Sequence, residues 1–350
     1  MTAAGLAVRV VVAIAAIGVA AAALAQGTAL PGPHDALAPV GPQAAHIGRL
    51  WDLFLAICVG VGVAVLAVFA VAVWRAGRAD ATTPADVDVL HRHEAGPFNA
   101  VVGGIAVSTV LLIVLVVASV WTDRALARLP LADAVQLQVT GHQWWWDAQY
   151  GGGPASDSFN TANELHVPVG KPVVVKLRSD DVIHSLWVPN LAGKKDLIPG
   201  RTALLQFRAD KPGVYRGQCA EFCGFQHAFM AFQVIADPPE QFDAWLARQR
   251  AEAPEPASAE QRRGREVFLG AECVMCHAVR GTTAAARKGP DLTHVGGRLT
   301  LAAGTLVNDS ERMKQWIRDP QSVKPGTTMP ASSLGDADLA ALVAWLESLK

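Results

Sequence analysis

The stretch GQCAEFCGFQHAFM, residues 217–230, sets two thiols, a carboxyl, an imidazole and a thioether close together in the chain. Cys219 and Cys223 are spaced C-x3-C, a separation that suits metal or cofactor attachment better than a disulfide framework. Thiolate and thioether donors beside imidazole form a soft ligand set that selects copper. A mononuclear blue site uses one cysteine, and here there is one more than that. Two thiolates can instead bridge two copper ions, each taking one imidazole. An electron shared over two metals needs little bond rearrangement when it arrives or leaves, so such a site is a fast relay. A structural zinc site is the plainer alternative, and Met230 speaks against it because a thioether is a poor zinc ligand. His227 supplies one imidazole and the second must come from elsewhere. His184 in DVIHSLWVP (181–189) is the leading candidate, at a strand edge; His142 and His166 compete, with a satisfied polar residue on a barrel face as their ordinary reading.

Around this stretch the chain runs in short alternating or β-branched segments: AVQLQVT (134–140), ELHVPVG (164–170), PVVVKLR (172–178), TALLQFRA (202–209), GVYRGQ (213–218) and AFQVIA (231–236). Gly151–Gly153, Val169-Gly170 and Lys211-Pro212-Gly213 punctuate them. Many short strands with such turns predict an all-β sandwich or barrel over 133–237. Pro238-Pro239 ends it, a helix with Phe242, Trp245 and Leu246 on one face follows, and AEAPEPAS (251–258) reads as a stiff, solvated linker within 238–258.

Residues 259–350 form a different, small all-α unit. AEQRRGREVFLGA (259–271), DSERMKQWIRDP (309–320) and GDADLAALVAWLESLK (335–350) have helical patterns, the last with Leu339, Leu342, Val343 and Leu346 in register. The long loop-rich stretch between His277 and Asn308 needs something to fold around. CVMCH (273–277) is C-x-x-C-H: Cys273 and Cys276 can form thioethers to a porphyrin while His277 meets the iron, which makes covalent haem c the expected cofactor. The sixth iron ligand is expected from Met329 in GTTMP (326–330). Met313 sits in a helical, core-like pattern, Met275 lies between the thiols, and His294 is the competing imidazole. This segment resembles class I cytochromes c, through Gly264, Phe268 and Trp345 at that family's helix crossing and KGPDLTHVGGR (288–298), whose Pro290 supports the proximal histidine.

The first third of the chain is apolar. VVVAIAAIGVAAAALA (10–25) follows Arg9 and ends on Ala23-Leu24-Ala25, as a signal peptide over 1–25 cleaved before Gln26 does; an uncleaved membrane helix is the alternative. Residues 26–49 are then an extracytoplasmic segment. Within 50–121, Leu50–Trp74 and Phe98–Trp121 each exceed the ~20 apolar residues that span a bilayer, and each ends on tryptophan with arginine close behind. The expectation is a two-helix transmembrane hairpin, with Cys58 as a small buried hydrophobe in its first arm. Arg75, Arg78 and Arg92 favour a cytoplasmic connecting loop only mildly, since Arg124 and Arg128 follow the second arm. A formal net charge of -1 gives no reason to expect a nucleic-acid partner.

GQCAEFCGFQHAFM, DVIHSLWVP, GHQWWW (141–146) and KKDLIPGR (194–201) together resemble subunit II of haem–copper cytochrome c oxidases, and the 259–350 unit resembles the cytochrome c fused to that subunit in one subfamily. The resemblance implies a multidomain chain: a transmembrane hairpin, a cupredoxin-like sandwich and a cytochrome c domain. It implies dinuclear copper (CuA) on the side chains of His184, Cys219, Cys223, His227 and Met230 and on the Glu221 carbonyl. The Glu221 carboxylate would face a magnesium ion shared with subunit I. Trp144 would be where electrons reach the copper, with Trp145 standing where the family commonly has tyrosine; a tryptophan belt at a membrane interface is the ordinary reading of that cluster. Asp196 and Arg201 would face subunit I. Glu94 would lie near a proton channel in that subunit, although EAGPFNAVVGG (94–104) lacks the family's pattern there.

The implied function is electron input to a terminal oxidase: from a donor such as a cytochrome c or a quinol–cytochrome c reductase, through haem c and CuA, to subunit I. Oxygen is reduced to water there with proton pumping, so this chain holds no catalytic residue of its own. Subunit III is a further expected partner. Haem attachment outside the cytoplasm puts both metal domains on the periplasmic side of the inner membrane. Rival readings are the input subunit of a CuA-type nitric oxide reductase, and a membrane-tethered electron shuttle or copper-delivery protein.

Overall fold

The computed structural model describes residues 34–75, 82, 84, 95–151 and 158–350. The signal-peptide reading, residues 26–33 of the extracytoplasmic segment, Arg78, Arg92 and Glu94 lie outside the described residues. Two helices open the described chain, α1 (Pro42–Arg75) and α2 (Ala95–Leu126), and both are long and apolar enough to cross a membrane. Neither buries its apolar span inside the protein. Cys58 is accordingly exposed rather than buried, because a helix apolar on all sides can only be covered from outside. The first helix begins at Pro42, ahead of the apolar run at Leu50, because its start belongs to the next domain. Val40 and Ala44 donate backbone hydrogen bonds to Asn190 and Leu191, and Val40 accepts one from Asp210. Gly41 sits so close to the Arg208 carbonyl that a Cβ there would lie 2.2 Å from its oxygen.

The β domain is a sandwich of two five-stranded sheets. The strands are β1 (Val135–His142), β2 (Trp145–Tyr150), β3 (Phe159–Ala162), β4 (Glu164–Pro168), β5 (Pro172–Ser179), β6 (His184–Trp187), β7 (Lys195–Leu197), β8 (Ala203–Arg208), β9 (Gly213–Cys219) and β10 (Ala231–Asp237). One sheet has the order β3-β2-β1-β5-β8 and the other β4-β10-β9-β6-β7. Only β1 with β5 and β10 with β4 pair in parallel among these strands. Alternation puts Leu137 and Val139 of β1, Trp146, Ala148 and Tyr150 of β2, and Val173, Val175 and Leu177 of β5 into one core. Across it, Phe232 of β10 packs over Gly217 of β9 so tightly that a Cβ at Gly217 would fall 2.1 Å from the ring. These packed sheets hold β6 and the end of β9 side by side, with Leu186 opposite Cys219.

Helix α3 (Pro239–Arg250) closes the sandwich by burying Phe242 and Trp245. Trp245 stacks on His166 at 4.1 Å and meets Tyr150 and Phe159 edge-on. The segment after it is exposed along most of its length but held. Ala253 N–H donates to Arg280 O, and the Arg280 guanidinium donates to the carbonyls of Gln249, Arg250 and Ala251.

In the haem-motif domain, α4 (Ala259–Gly270) starts on a capping box in which Ser258 and Gln261 satisfy each other's backbone N–H groups. After a short hairpin, β11 (Thr300–Leu301) and β12 (Leu306–Val307), come α5 (Ser310–Arg318), α6 (Pro320–Val323) and α7 (Asp336–Ser348). Helices α4 and α7 cross with Gly264 against the Ala341 carbonyl and with the Phe268 and Trp345 rings 5.1 Å apart. The rest of 277–308 is mostly turn and loop, as a domain folded around a large group requires.

Candidate metal centres

The end of β9, the turn after it and the start of β6 bring all six copper-ligand candidates together. Cys219 Sγ and Cys223 Sγ are 3.8 Å apart. Cys219 Sγ is 3.9 Å from His184 Nδ1 and 3.3 Å from the Glu221 carbonyl oxygen. Cys223 Sγ is 3.5 Å from His227 Nδ1 and 3.8 Å from Met230 Sδ. Each thiol thus has its own imidazole and its own weak donor, and the sulfurs face each other between them. His184, Cys219, Cys223 and Met230 are all buried, while Phe222, Phe225 and Phe229 stand exposed around the turn. His142 and His166 are elsewhere: His142 stacks on Trp145, and His166 Nδ1 is 2.6 Å from Asp237 Oδ2.

The electrostatics match a site that binds cations through sulfur. The Cys223 thiol donating toward Cys219 holds the Cys219 sulfur well below the usual thiol range, and the same shared proton, with burial, pushes Cys223 up. The facing sulfurs, 3.8 Å apart with one acidified by the other, leave a position between them that a cation can take. Burial pulls the His184 imidazole down, but the hydrogen bonds to Asp181 and Cys219 outweigh it and the net shift is upward.

Several supporting residues carry no signal that reading the sequence could isolate. Asp181 Oδ1 is 2.7 Å from His184 Nε2, which turns Nδ1 toward Cys219. Asp181 is itself held by the backbone N–H groups of Gln143 and Val182. Gly141 lets β1 pass the imidazole, where a Cβ would be 2.8 Å from His184 Cδ2. The Trp144 indole N–H and the Gln143 side-chain amide both donate to the Cys223 carbonyl, at 3.0 and 2.8 Å. Trp144 is buried in the sandwich core, so the structure places it against the thiolate turn rather than in an exposed belt. The Glu221 carboxylate points outward, 3.7 Å from Lys194 Nζ. Asp196 accepts a hydrogen bond from Ser185 Oγ, next to His184.

The second centre is built on the turn Glu272–Met275, which leaves Cys273 and Cys276 as free thiols and brings the His277 N–H back to the Cys273 carbonyl. His277 Nδ1 lies 2.7 Å from the Pro290 carbonyl, so Nδ1 carries the proton and Nε2 keeps its lone pair. Burial lowers the His277 pKa, which holds the ring neutral. Gly289 crosses the ring face, where a Cβ would fall 2.7 Å from Cε1. A neutral, oriented imidazole beside two free thiols fits a covalently bound haem. Met329 packs at the edge of the domain core, whereas Met313 is buried within it. Both ring nitrogens of His294 are taken up, at 3.0 Å from Lys350 O and 3.2 Å from Ala251 O.

Two family models match the chain: "Cytochrome C oxidase subunit II, periplasmic domain" over residues 153–236 and "Cytochrome c" over residues 261–350. Cytochrome c oxidase subunit 2 of Alkalihalophilus pseudofirmus is 37% identical over 321 residues, covering 90% of this chain and 90% of the relative. The same subunit of Bacillus sp. (strain PS3) is 34% identical over 260 residues, covering 69% of this chain and 71% of its own. Among solved structures, the periplasmic domain of subunit II of cytochrome oxidase from Bradyrhizobium japonicum is 31% identical. It covers 35% of this chain and 97% of its own, with a TM-score of 0.31. Identity of this extent, across both the β domain and the haem-motif domain, shows that the chain belongs to the cytochrome c oxidase subunit II family.

Proposed function

We propose that this chain is the electron-input subunit of a terminal haem–copper oxidase, taking electrons at a haem c domain and passing them through a dinuclear copper site to subunit I. The observation that carries the reading is the paired arrangement at the thiolate turn, Cys219 with His184 and Cys223 with His227, the two sulfurs 3.8 Å apart. His184, Cys219, Glu221 through its carbonyl, Cys223, His227 and Met230 would hold the copper pair; Cys273, Cys276, His277 and Met329 would hold the haem. When bound, these groups take up and release single electrons, which is the whole of the chemistry in this chain. The protein's part is to fix the donors before the metals arrive and keep water away, so that little moves when charge does.

Trp144 is the residue through which electrons would enter the copper site, and its indole hydrogen bond to Cys223 supports that role. The outward carboxylate of Glu221, paired here with Lys194, would share a magnesium ion with subunit I. The exposed Phe222, Phe225 and Phe229 offer apolar surface to such a subunit. The two apolar helices would anchor the chain in the inner membrane, with the connecting loop cytoplasmic and both metal domains periplasmic. Oxygen reduction and proton pumping would belong to subunit I, with subunit III as a further partner.

The test is to purify the chain from membranes with its partners and supply a reduced cytochrome c. Oxygen consumption with subunit I present supports the reading; nitric oxide consumption without oxygen consumption, or a chain that purifies alone with both metal sites filled, contradicts it. Two substitutions probe the ligand assignments. Asp181→Asn keeps the shape but weakens the bond that orients His184, and copper affinity measured by chelator competition is expected to fall about 10–100-fold. Met329→Leu is expected to remove the low-spin Met/His haem spectrum while the haem stays attached; if Met313→Leu does so instead, the axial assignment is wrong.

A further inference from the structure

The two metal domains are joined by an exposed linker, yet they also meet at contacts clustered around the proposed ligands. The tip of the β11–β12 hairpin runs through left-handed backbone at Ala302, Ala303 and Gly304 (φ 51°, 58° and 75°). That turn presents the Ala303 carbonyl to the N–H of Ala231, next to Met230, at 3.0 Å. Glu164 of β4 accepts the N–H groups of Leu299 and Thr300 at 2.6 and 3.2 Å. The side-chain amide of Gln226, next to His227, donates to the Pro325 carbonyl. Lys324 Nζ donates to the Trp144 carbonyl at 2.8 Å and to the Ala302 carbonyl at 3.2 Å.

Lys324 is 2% exposed, and its side-chain nitrogen hydrogen-bonds to one carbonyl from each domain. With water excluded, the side-chain nitrogen of Lys324 is satisfied by these carbonyls, and the two hydrogen bonds exist together only while the domains stay in contact. On one side it touches the residue whose indole bonds Cys223; on the other it lies in the loop that leads to Met329.

Building on the proposed haem and copper sites, we propose that the haem domain is permanently docked on the copper domain. Lys324 is the positioning residue of that dock, and Glu164 is its second anchor. The linker is then a connection and not a tether on which the haem domain searches for its acceptor.

The two arrangements differ in an observable way: hand-over from a fixed seat does not depend on solvent viscosity, whereas hand-over limited by domain motion slows as viscosity rises. The experiment uses the full-length membrane complex with haem and copper loaded. The haem is reduced by a flash, its reoxidation is followed optically, and glycerol is varied. The wild-type rate is expected to be independent of viscosity. Lys324→Met takes the lysine away from the Trp144 carbonyl and breaks the link to the Ala302 carbonyl, which keeps only the Thr305 hydroxyl, and the rate is expected to fall about tenfold and become viscosity-dependent with haem and copper spectra unchanged. Amide exchange at Ala231 and Leu299 should rise by about the same factor. If Lys324→Met does not assemble, Glu164→Ala and the wild-type viscosity series decide. A wild-type rate that falls with viscosity overturns the dock, as does a Lys324→Met protein unchanged in rate, viscosity response and exchange. Absence of either metal spectrum from wild type would instead sink the proposed function.

Discussion

Cys223→Ser is expected to leave the chain folded but unable to bind a copper pair. Cys223 is the hub of the cluster, with Cys219, His227 and Met230 all reaching its sulfur within 3.8 Å. A serine hydroxyl does not ionise at neutral pH and is a hard donor, so it cannot bridge soft ions. What remains is a single thiolate, Cys219, beside His184 and the Glu221 carbonyl, with His227 and Met230 across from it, a donor set for one copper and not for a pair. Losing an outer partner of a metal site costs about 10–100-fold in affinity or activity, and losing one of the two bridging thiolates should exceed that. Donor-driven oxygen consumption is therefore expected to fall more than about a hundredfold, while the haem spectrum is unaffected. A variant that keeps its copper content and turnover would show that Cys223 is not a ligand.

Gly264→Ala is the second large effect, and its sign runs against helix propensity. In an open helix interior, alanine in place of glycine stabilises by about 0.5–1 kcal/mol. Here the added Cβ would lie 2.0 Å from the Ala341 carbonyl oxygen and 2.8 Å from Trp345 Cβ, and the first of these is backbone that cannot rotate away. Relief requires α4 and α7 to separate, which loosens the Phe268–Trp345 contact and the buried row Leu339, Leu342 and Leu346. Overpacking of this kind costs about 3 kcal/mol. In a domain of this size that lowers the melting temperature on the order of 15 °C. Calorimetry should show the loss in the haem domain's transition alone, with the sandwich transition unmoved; a variant as stable as wild type would mean that the crossing is looser than the structure has it.

The chemistry was more legible than the architecture, for a physical reason. Cysteine, histidine and methionine are scarce, and their donor atoms select metals, so the spacings Cys219–Met230 and Cys273–His277 marked both centres, while His184 needed its place at a strand edge and the Glu221 carbonyl needed the family resemblance. Strands β1, β4, β5, β8, β9 and β10 show in the sequence because alternation runs long enough to be seen. Strands β6 and β7, with the sequences HSLW and KDL, are too short to display a period, and β2 hides within the aromatic run that starts at Trp144. Asp181, Glu164 and Lys324 could not be picked out, since carboxylates and lysines are common and only the sheet order and the domain contact give these three their partners. Cys58 reads as a core residue by composition, and only the unpartnered helix around it shows that it faces outward.

Metal analysis and electron paramagnetic resonance of the oxidised, purified complex decide whether the thiolate turn is a relay. The expected result is two copper ions for each haem c, with hyperfine structure from one unpaired electron shared equally by both copper nuclei. Zinc in their place, or the hyperfine pattern of a single copper nucleus, would contradict the paired-ligand reading of His184, Cys219, Cys223 and His227.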